Sequence, residues 1–362
     1  MRLSSLFLHS PVGRAHLVAS RALSAALPPD WEREELDYLA FLPALERHLW
    51  TGLYHLALRH APSLWRAYRR WTDRANEPRV CRERVSDTGA AAFARVLERT
   101  RPRLVVSTIG GAAGLAGVAR ERCDARFVNA LVVTHFRAHR HWARPEADLV
   151  FVATDAARAD LVRHGMVESR IVVAGTPIRP GLRALERDEK RALRARLGLG
   201  DDPVIVVSSG GTGKYRAHDE LLAILEKLAR PMDVLIFKGD AAGVEQRGAV
   251  RLHQLGFRRD FPDWLSAADA CVGKIGSLTA AEACAAAVPI VVWEPIPGPE
   301  EDNARFLVAA GAALWPRRPN ELRTALADVL GSAGAHMARS AHRLHKPDAA
   351  ARIAALLEDR AC

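Results

Sequence analysis

The chain has 362 residues, 49% of them hydrophobic and 26% charged, with a net charge of +10. This length and balance fit two globular domains, each with its own core, and exclude a disordered or fibrous chain. No run approaches the roughly 20 apolar residues of a spanning helix, and MRLSSLFLHS is too short in its apolar part for a secretory signal.

In chain order, short β-rich runs alternate with alanine- and leucine-rich helical runs, the pattern of parallel α/β units. The first series has strands predicted at Leu3–Leu8, Leu104–Ser107, Phe127–Val133, Leu149–Ala153 and Ile171–Val173, with helices over 16–26, 42–59, 88–99, 114–121 and 155–164. The segment GTPIRP at Gly175–Pro180 interrupts the pattern, and a charged helical stretch, Asp188–Leu197, follows. A domain boundary is expected there. It gives an N-terminal acceptor-side domain over 1–178, a C-terminal donor domain over 179–340, and a tail over 341–362 whose helix at Pro347–Asp359 packs back on the first domain. The second series has strands at Val204–Ser208, Val234–Phe237, Val250–Leu255, Ala270–Gly273 and Ile290–Trp293. Its helices fit 218–229, 261–267, 278–286, 303–310 and 319–331. The five cysteines (81, 123, 271, 284 and 362) form no CxxC pair, so neither a zinc site nor a disulfide framework is expected, and the cytoplasm is the expected compartment.

The charge is unevenly placed. Between Ala44 and Arg84 nine Lys/Arg face four Asp/Glu, and Trp50, Tyr54, Trp65, Tyr68 and Trp71 lie among them. Aromatics mixed with arginines on a helical pattern suit an anionic membrane surface, where rings sit at headgroup level and basic groups meet lipid phosphates. The plainer alternative is a core-facing amphipathic helix with a solvated basic face. Nucleic-acid binding is the other reading of a basic chain.

The stretch from Lys274 to Asn303, KIGSLTAAEACAAAVPIVVWEPIPGPEEDN, reads as a strand end, a Gly276-Ser277 turn, a short helix carrying Glu282, a buried strand, and a loop with Glu300, Glu301 and Asn303. A helix N-terminus presents backbone N–H groups and the positive end of its dipole, so the turn suits a phosphate. A carboxylate a turn and a half further on can reach ribose hydroxyls. Ser208–Lys214, SSGGTGK, follows the first strand of the second series. A phosphate-binding Walker loop would need glycine at 208 and Ser/Thr at 215; Ser208 and Tyr215 exclude it. Bare backbone N–H groups there could still cradle a diphosphate, or the segment is a tight turn. In the first half, SPVGRAH at Ser10–His16 opens a helix, where the histidine alone reads as a helix-start residue. His135, His139 and His141 lie together in THFRAHRHW at Thr134–Trp142, with no carboxylate or cysteine in that loop to complete a metal set.

Together these motifs resemble the diacylglycerol glycosyltransferases, the monogalactosyldiacylglycerol synthases and processive diacylglycerol glucosyltransferases, which are related to the lipid I N-acetylglucosaminyltransferase. Lys274, Gly276, Thr279, Glu282, Ala283, Pro297, Gly298, Glu300 and Asn303 fall in register with the family pattern K-x-G-x-x-T-x-x-E-A … P-G-Q-E-x-x-N. His16 matches the histidine of an S-x-x-G-x-G-H loop, and His139 and Trp142 match T-D-[YF]-x-x-H-x-x-W. Four positions depart: Ala15 for glycine, Ile109-Gly110 for His-Pro, His135 for aspartate, and Pro299 for glutamine.

The resemblance implies a GT-B fold, two Rossmann-like domains facing a central cleft, and an inverting transfer of a hexose from a UDP-sugar to a lipid acceptor, diacylglycerol first. The donor set it implies is Gly210, Gly211, Gly213, Gly256, Phe257, Lys274, Gly276, Ser277, Thr279, Glu282, Glu300 and Asn303. The acceptor-side catalytic set is His16, His135 and His139. It implies no metal and no cofactor beyond the donor, no nucleic-acid partner, no required protein partner, and peripheral association with the inner face of the cell membrane. The alternatives are the same chemistry on a different acceptor, a UDP-sugar 2-epimerase on the same architecture, which His135 in place of the carboxylate argues against, and a non-enzymatic basic module.

Overall fold

The computed structural model describes residues 3–10, 14–48, 52, 56, 60–73, 87–208, 218–237, 242–256 and 258–362. The chain divides into two compact units, 1–178 with 297–299 and 348–362, and 179–296 with 300–347.

The first unit is built on a six-stranded sheet in the order β2-β1-β3-β4-β5-β6, with every neighbouring pair parallel. Its strands are β1 (Leu3–His9), β2 (Trp31–Asp37), β3 (Leu104–Ser107), β4 (Val128–Val133), β5 (Leu149–Val152) and β6 (Ile171–Val173). The inner strands are near-continuous apolar runs, as expected of a parallel sheet covered on both faces. One face packs Phe7, Val106, Val132 and Phe151 against Leu23 of helix Arg14–Ala26 and against Ile353, Ala354 and Leu357 of the last helix, Ala349–Ala361. The terminal segment thus completes the core of the first unit. It begins at Asp348 rather than 341, because helix Ser332–Leu344 belongs to the second unit.

The second unit carries a seven-stranded sheet in the order β13-β12-β11-β7-β8-β10-β9. The strands are β7 (Val204–Ser208), β8 (Met232–Ile236), β9 (Ala242–Arg247), β10 (Val250–Leu255), β11 (Ala270–Gly273), β12 (Ile290–Val292) and β13 (Ala313–Leu314). All pairs are parallel except β9, which runs antiparallel to β10. Its core joins Ile205, Val207, Val234, Leu252, Val272 and Val291 to the apolar faces of the flanking helices. Asp269, just before β11, is held by Lys190 at 2.9 Å, by Arg194 and by the Val204 amide at 2.9 Å. That ties the entrance helix Arg187–Arg196 to the edge of the sheet where β7 and β11 begin.

Several expectations are corrected. Trp31–Asp37 (WEREELD), where no strand was expected, is an edge strand because β1 offers it a full parallel ladder. Ala242–Arg247 is recruited in the same way by β10. Residues 44–48 are helical, but most of the helix expected over 42–59 lies outside the described residues, and a further helix, Pro62–Asp73, follows. The segment expected as a loop with Glu300 and Asn303 is the first part of a helix, Pro299–Ala309. Proline at the first helical position and three acidic residues in the first turn favour that start.

Candidate functional site

The donor candidates gather where β11 and β12 end, at the carboxyl edge of the second sheet where open α/β sheets bind ligands. β11 closes on Gly273 at φ +131°; a Cβ there would lie 2.4 Å from the Ser208 carbonyl oxygen, so only glycine lets the two strand ends approach so closely. Buried Ile275 follows at φ +46°, a costly conformation for a β-branched residue and the kind of strain that concentrates at functional sites. Gly276 caps helix Ser277–Ala285 and contributes no side-chain bond to the cap.

Around this turn, Lys274 Nζ lies 3.1 Å from Glu300 Oε1, and the Ile296 amide donates to Glu300 Oε2 at 2.7 Å. A Cβ at Gly276 would stand 3.6 Å from Glu300 Oε1. Lys274, Gly276 and Glu300 are therefore one cluster. Burial raises the Glu300 pKa, against the pull of Lys274 and the Ile296 amide. Ser277 and Asn303 are buried beside it in sequence, and Thr279 is half-buried.

Glu282 is 1% exposed, and Arg179 Nη1 sits 2.8 and 2.7 Å from its two carboxylate oxygens. Burial lifts its pKa to about 7, with Arg179 opposing the rise. Arg179 in turn lies 5.0 Å over the ring of Phe261. Sequence reasoning missed Arg179, reading it only as part of the interdomain break. The available signal was an arginine inside that break, 103 positions from its partner. Gly256, buried and at φ +58°, ends β10. Gly210, Gly211, Gly213 and Phe257 lie outside the described residues.

In the first unit the candidate histidines separate into two groups. His16 Nδ1 is 2.6 Å from the Thr108 carbonyl oxygen. A carbonyl only accepts, so Nδ1 carries the proton and Nε2 keeps its lone pair. Thr108 also ties its hydroxyl to the His16 carbonyl at 3.1 Å, fixing the start of the helix against the end of β3. Burial holds the His16 pKa below the ordinary 6.5, against the Thr108 carbonyl, so the ring is neutral at pH 7. His135 joins it across Trp142, with ring centroids 6.2 Å from His16 to Trp142 and 5.5 Å from His135 to Trp142. Burial first, then the neighbouring His16 and Arg69, lower His135 to about 3.

His139 belongs elsewhere. Its Nδ1 accepts from the His141 amide at 3.3 Å, and its Nε2 lies 3.2 Å from both the Arg69 carbonyl oxygen and the Thr72 hydroxyl. With both ring nitrogens engaged and its pKa driven to about 3 by burial and Arg69, it pins helix Pro62–Asp73. It is not placed as an available base.

The loop carrying these residues is held by buried Asp160, which takes Arg137 through two bonds of 2.7 Å and the Ala138 amide at 3.0 Å. Gly110 explains one sequence departure, because a Cβ there would stand 2.5 Å from the His141 carbonyl oxygen. The glycine of Ile109-Gly110 lets this loop close onto helix Gly110–Arg122. Among the described residues no group of three or more His, Cys, Asp or Glu could hold a metal ion.

Two α/β units of this kind, one carrying a glycine-capped turn and a buried carboxylate at the carboxyl edge of its sheet, are the GT-B class, the fold of sugar-nucleotide glycosyltransferases. Comparison with known proteins makes this more particular. Residues 16–178 match the family described as Monogalactosyldiacylglycerol (MGDG) synthase. The processive diacylglycerol beta-glucosyltransferase of Bacillus pumilus is 29% identical over 207 residues, covering 55% of this chain and 53% of that protein. The chain therefore spans about half the length of the curated relatives it matches. Among solved structures, MurG of Acinetobacter baumannii superposes with a TM-score of 0.64 at 17% identity over 99% of both chains. Anabaena HepE in complex with UDP-glucose gives 0.55 at 16% identity, over 99% of this chain and all of that one. The chain thus resembles the diacylglycerol glycosyltransferases and has the GT-B fold.

Proposed function

We propose that this protein is an inverting hexosyltransferase that moves a sugar from a UDP-sugar to a lipid acceptor, diacylglycerol being the first candidate, in glycolipid synthesis. The observation that carries the reading is Glu282, a buried carboxylate one and a half turns into a helix whose glycine-capped start adjoins the Lys274–Glu300 pair. Glu282 holds the ribose hydroxyls. The N–H groups after Gly276, together with Gly210, Gly211 and Gly213, take the diphosphate, Gly256 and Phe257 lie beside the base, and Lys274, Glu300 and Asn303 hold the hexose. The relatives, named as processive diacylglycerol beta-glucosyltransferases, support the acceptor class, and the UDP-glucose complex of a protein with the same fold supports the donor class.

On the acceptor side His16 is the base. The Thr108 carbonyl fixes its tautomer, Nε2 takes the proton of the attacking hydroxyl, and backbone dipoles stabilise the departing UDP. This scheme requires no metal and no further cofactor. His135 shapes the acceptor-side surface with Trp142, and His139 positions the loop. No helix among the described residues is long and apolar enough to cross a membrane. With a lipid acceptor, the protein works at the membrane surface from the cytoplasmic side.

The test is incubation with diacylglycerol and labelled UDP-glucose, UDP-galactose or UDP-N-acetylglucosamine in turn. Label moving into the lipid phase with one donor is the expected result; no labelled lipid from any of them overturns the reading. Slow UDP-sugar hydrolysis without glycolipid would instead point to a different acceptor, the alternative that His135 in place of the family aspartate favours.

A further inference from the structure

His9 closes β1 on the face of the sheet covered by helix Arg14–Ala26. Side chains alternate along a strand, so His9 shares that face with Phe7, which packs in one core with Leu23 of the helix. His16, Ser20 and Leu23 follow one another at helical spacing, and Ser20 and Leu23 are fully buried, so this stripe faces β1. The two residues from Phe7 to His9 advance about 6.6 Å along the strand. The helix runs back along it, covering about 4.5 Å from Leu23 to Ser20 and about 10.5 Å from Leu23 to His16. His9 therefore stands level with the helix between Ser20 and His16. Leu8, one residue before His9, accepts the Thr108 amide at 3.0 Å on its carbonyl, and Thr108 in turn holds His16 through its own carbonyl and hydroxyl.

Two polar atoms at this interface, His9 Nδ1 and Ser20 Oγ, are buried and have no hydrogen-bond partner among the described residues. Folded proteins pair about nine in ten such groups, with protein or with ordered water. A helical serine can bond back to the carbonyl four residues earlier; here that carbonyl belongs to His16 and already takes the Thr108 hydroxyl. The His9 ring is half-buried. Its registered neighbour across the ladder is Asp37, with exposed Glu35 two residues earlier on the same face, and Arg21 of the helix bonds Glu35 at 3.0 Å. Burial lowers the His9 pKa below 6.5, Glu35 and Asp37 oppose the shift, and Arg21 adds to it. Burial likewise lowers His16, on which His9 acts as a neighbouring charge. Two adjacent rings displaced in the same direction suit the passing of a proton.

We propose that His9 is a relay residue that clears the proton from His16 after each transfer. The inference rests on the base role given to His16 above. In the transfer step the acceptor O–H bond breaks and its proton goes to His16 Nε2. That proton then passes through one water, held by Ser20 Oγ, to His9 Nδ1, while the proton on His9 Nε2 leaves to solvent on the side of Asp37 and Glu35. Both rings are neutral again, and His9 regains its first tautomer by exchange with solvent.

The experiment uses His9→Gln in the full chain, a substitution that keeps hydrogen-bonding capacity but cannot carry a proton. In dilute buffer its kcat for sugar transfer to diacylglycerol, at saturating donor, should fall about tenfold or more, with donor KM and thermal melting unchanged. Added imidazole should restore much of that loss and leave wild type unaffected. A variant that turns over like wild type in dilute buffer overturns the relay. So does a loss that imidazole leaves untouched, which makes His9 a packing residue. Nitrogen NMR of the wild-type protein needs neither variant nor turnover: the neutral His9 ring should hold its proton on Nε2, and a proton on Nδ1 overturns the proposal. In His9→Gln the His16 midpoint should rise, since His9 lowers it; a fixed midpoint means the rings are not neighbours and also overturns it. Wild type that transfers from no donor sinks the reading on which the relay rests, whereas transfer that His9→Gln leaves intact sinks the relay alone.

Discussion

Replacing Glu282 by glutamine keeps the shape of the side chain and removes its charge, which separates what the carboxylate does for the fold from what it does for a ligand. Its pKa is lifted from the ordinary 4.5 to about 7 by burial. A carboxyl raised in the folded state contributes stability below pH 4.5 that is lost as pH rises through about 7. At pH 8 the ionised Glu282 is therefore a liability, on the order of 3 kcal/mol. Glutamine removes that liability but leaves Arg179, which is partly solvated at 22% exposure, with only a dipole to face. The two effects roughly offset, so denaturant melts at pH 8 should place Glu282→Gln within about 1 kcal/mol of wild type. Binding should respond differently. A carboxylate accepting two ribose hydroxyls gains about 1.5–3 kcal/mol per charged hydrogen bond, so UDP affinity measured by calorimetry should fall at least about tenfold. Wild-type affinity should also decline as pH falls through about 7, and the variant should lose that dependence. Unchanged UDP affinity in the variant would refute the ribose role. A stability loss above about 3 kcal/mol would show instead that the Arg179–Glu282 pair exists to hold the fold.

Other expectations follow from the same geometry. His16→Ala should abolish transfer while sparing UDP binding. In wild type the acid limb of kcat, at saturating donor, should fall below pH 6.5, since burial lowers the ring's pKa; an acid limb of kcat above 6.5, or retained turnover in the variant, would remove His16 from the base role. Gly273→Ala forces a Cβ against the Ser208 carbonyl and should destabilise the second unit by at least about 2 kcal/mol in denaturant melts. Asp160→Asn weakens the charged clamp on Arg137 and Ala138 and should cost roughly 2–3 kcal/mol of stability. A kcat loss with unchanged donor KM in that variant would reveal the loop's positioning role.

The inner strands β3, β7 and β11 occupy the predicted residues because a parallel strand buried on both faces must itself be apolar. Trp31–Asp37 escaped prediction because it pairs only at the edge of the sheet, where the ladder from β1 supplies its order and its own side chains remain charged and exposed. Helix Pro62–Asp73 lies in the stretch marked out by arginines and rings. Whether those rings faced a core or water was not contained in the pattern, since a helical wheel has no outside until something packs on it.

The candidate site divides along the same line. Glycine, acidic and histidine positions at fixed local spacing determine a turn, a cap and a carboxylate a turn and a half away, so Gly276 and Glu282 were legible from sequence. Local spacing says nothing about partners brought in from a distance. Only the folded chain could set Arg179 against Glu282 across 103 positions, seat His16 on a carbonyl 92 positions away, and commit His139 to a helix rather than to a substrate. Those contacts arise from side chains converging where strands end, and that convergence is a property of the assembled sheet, absent from any single segment.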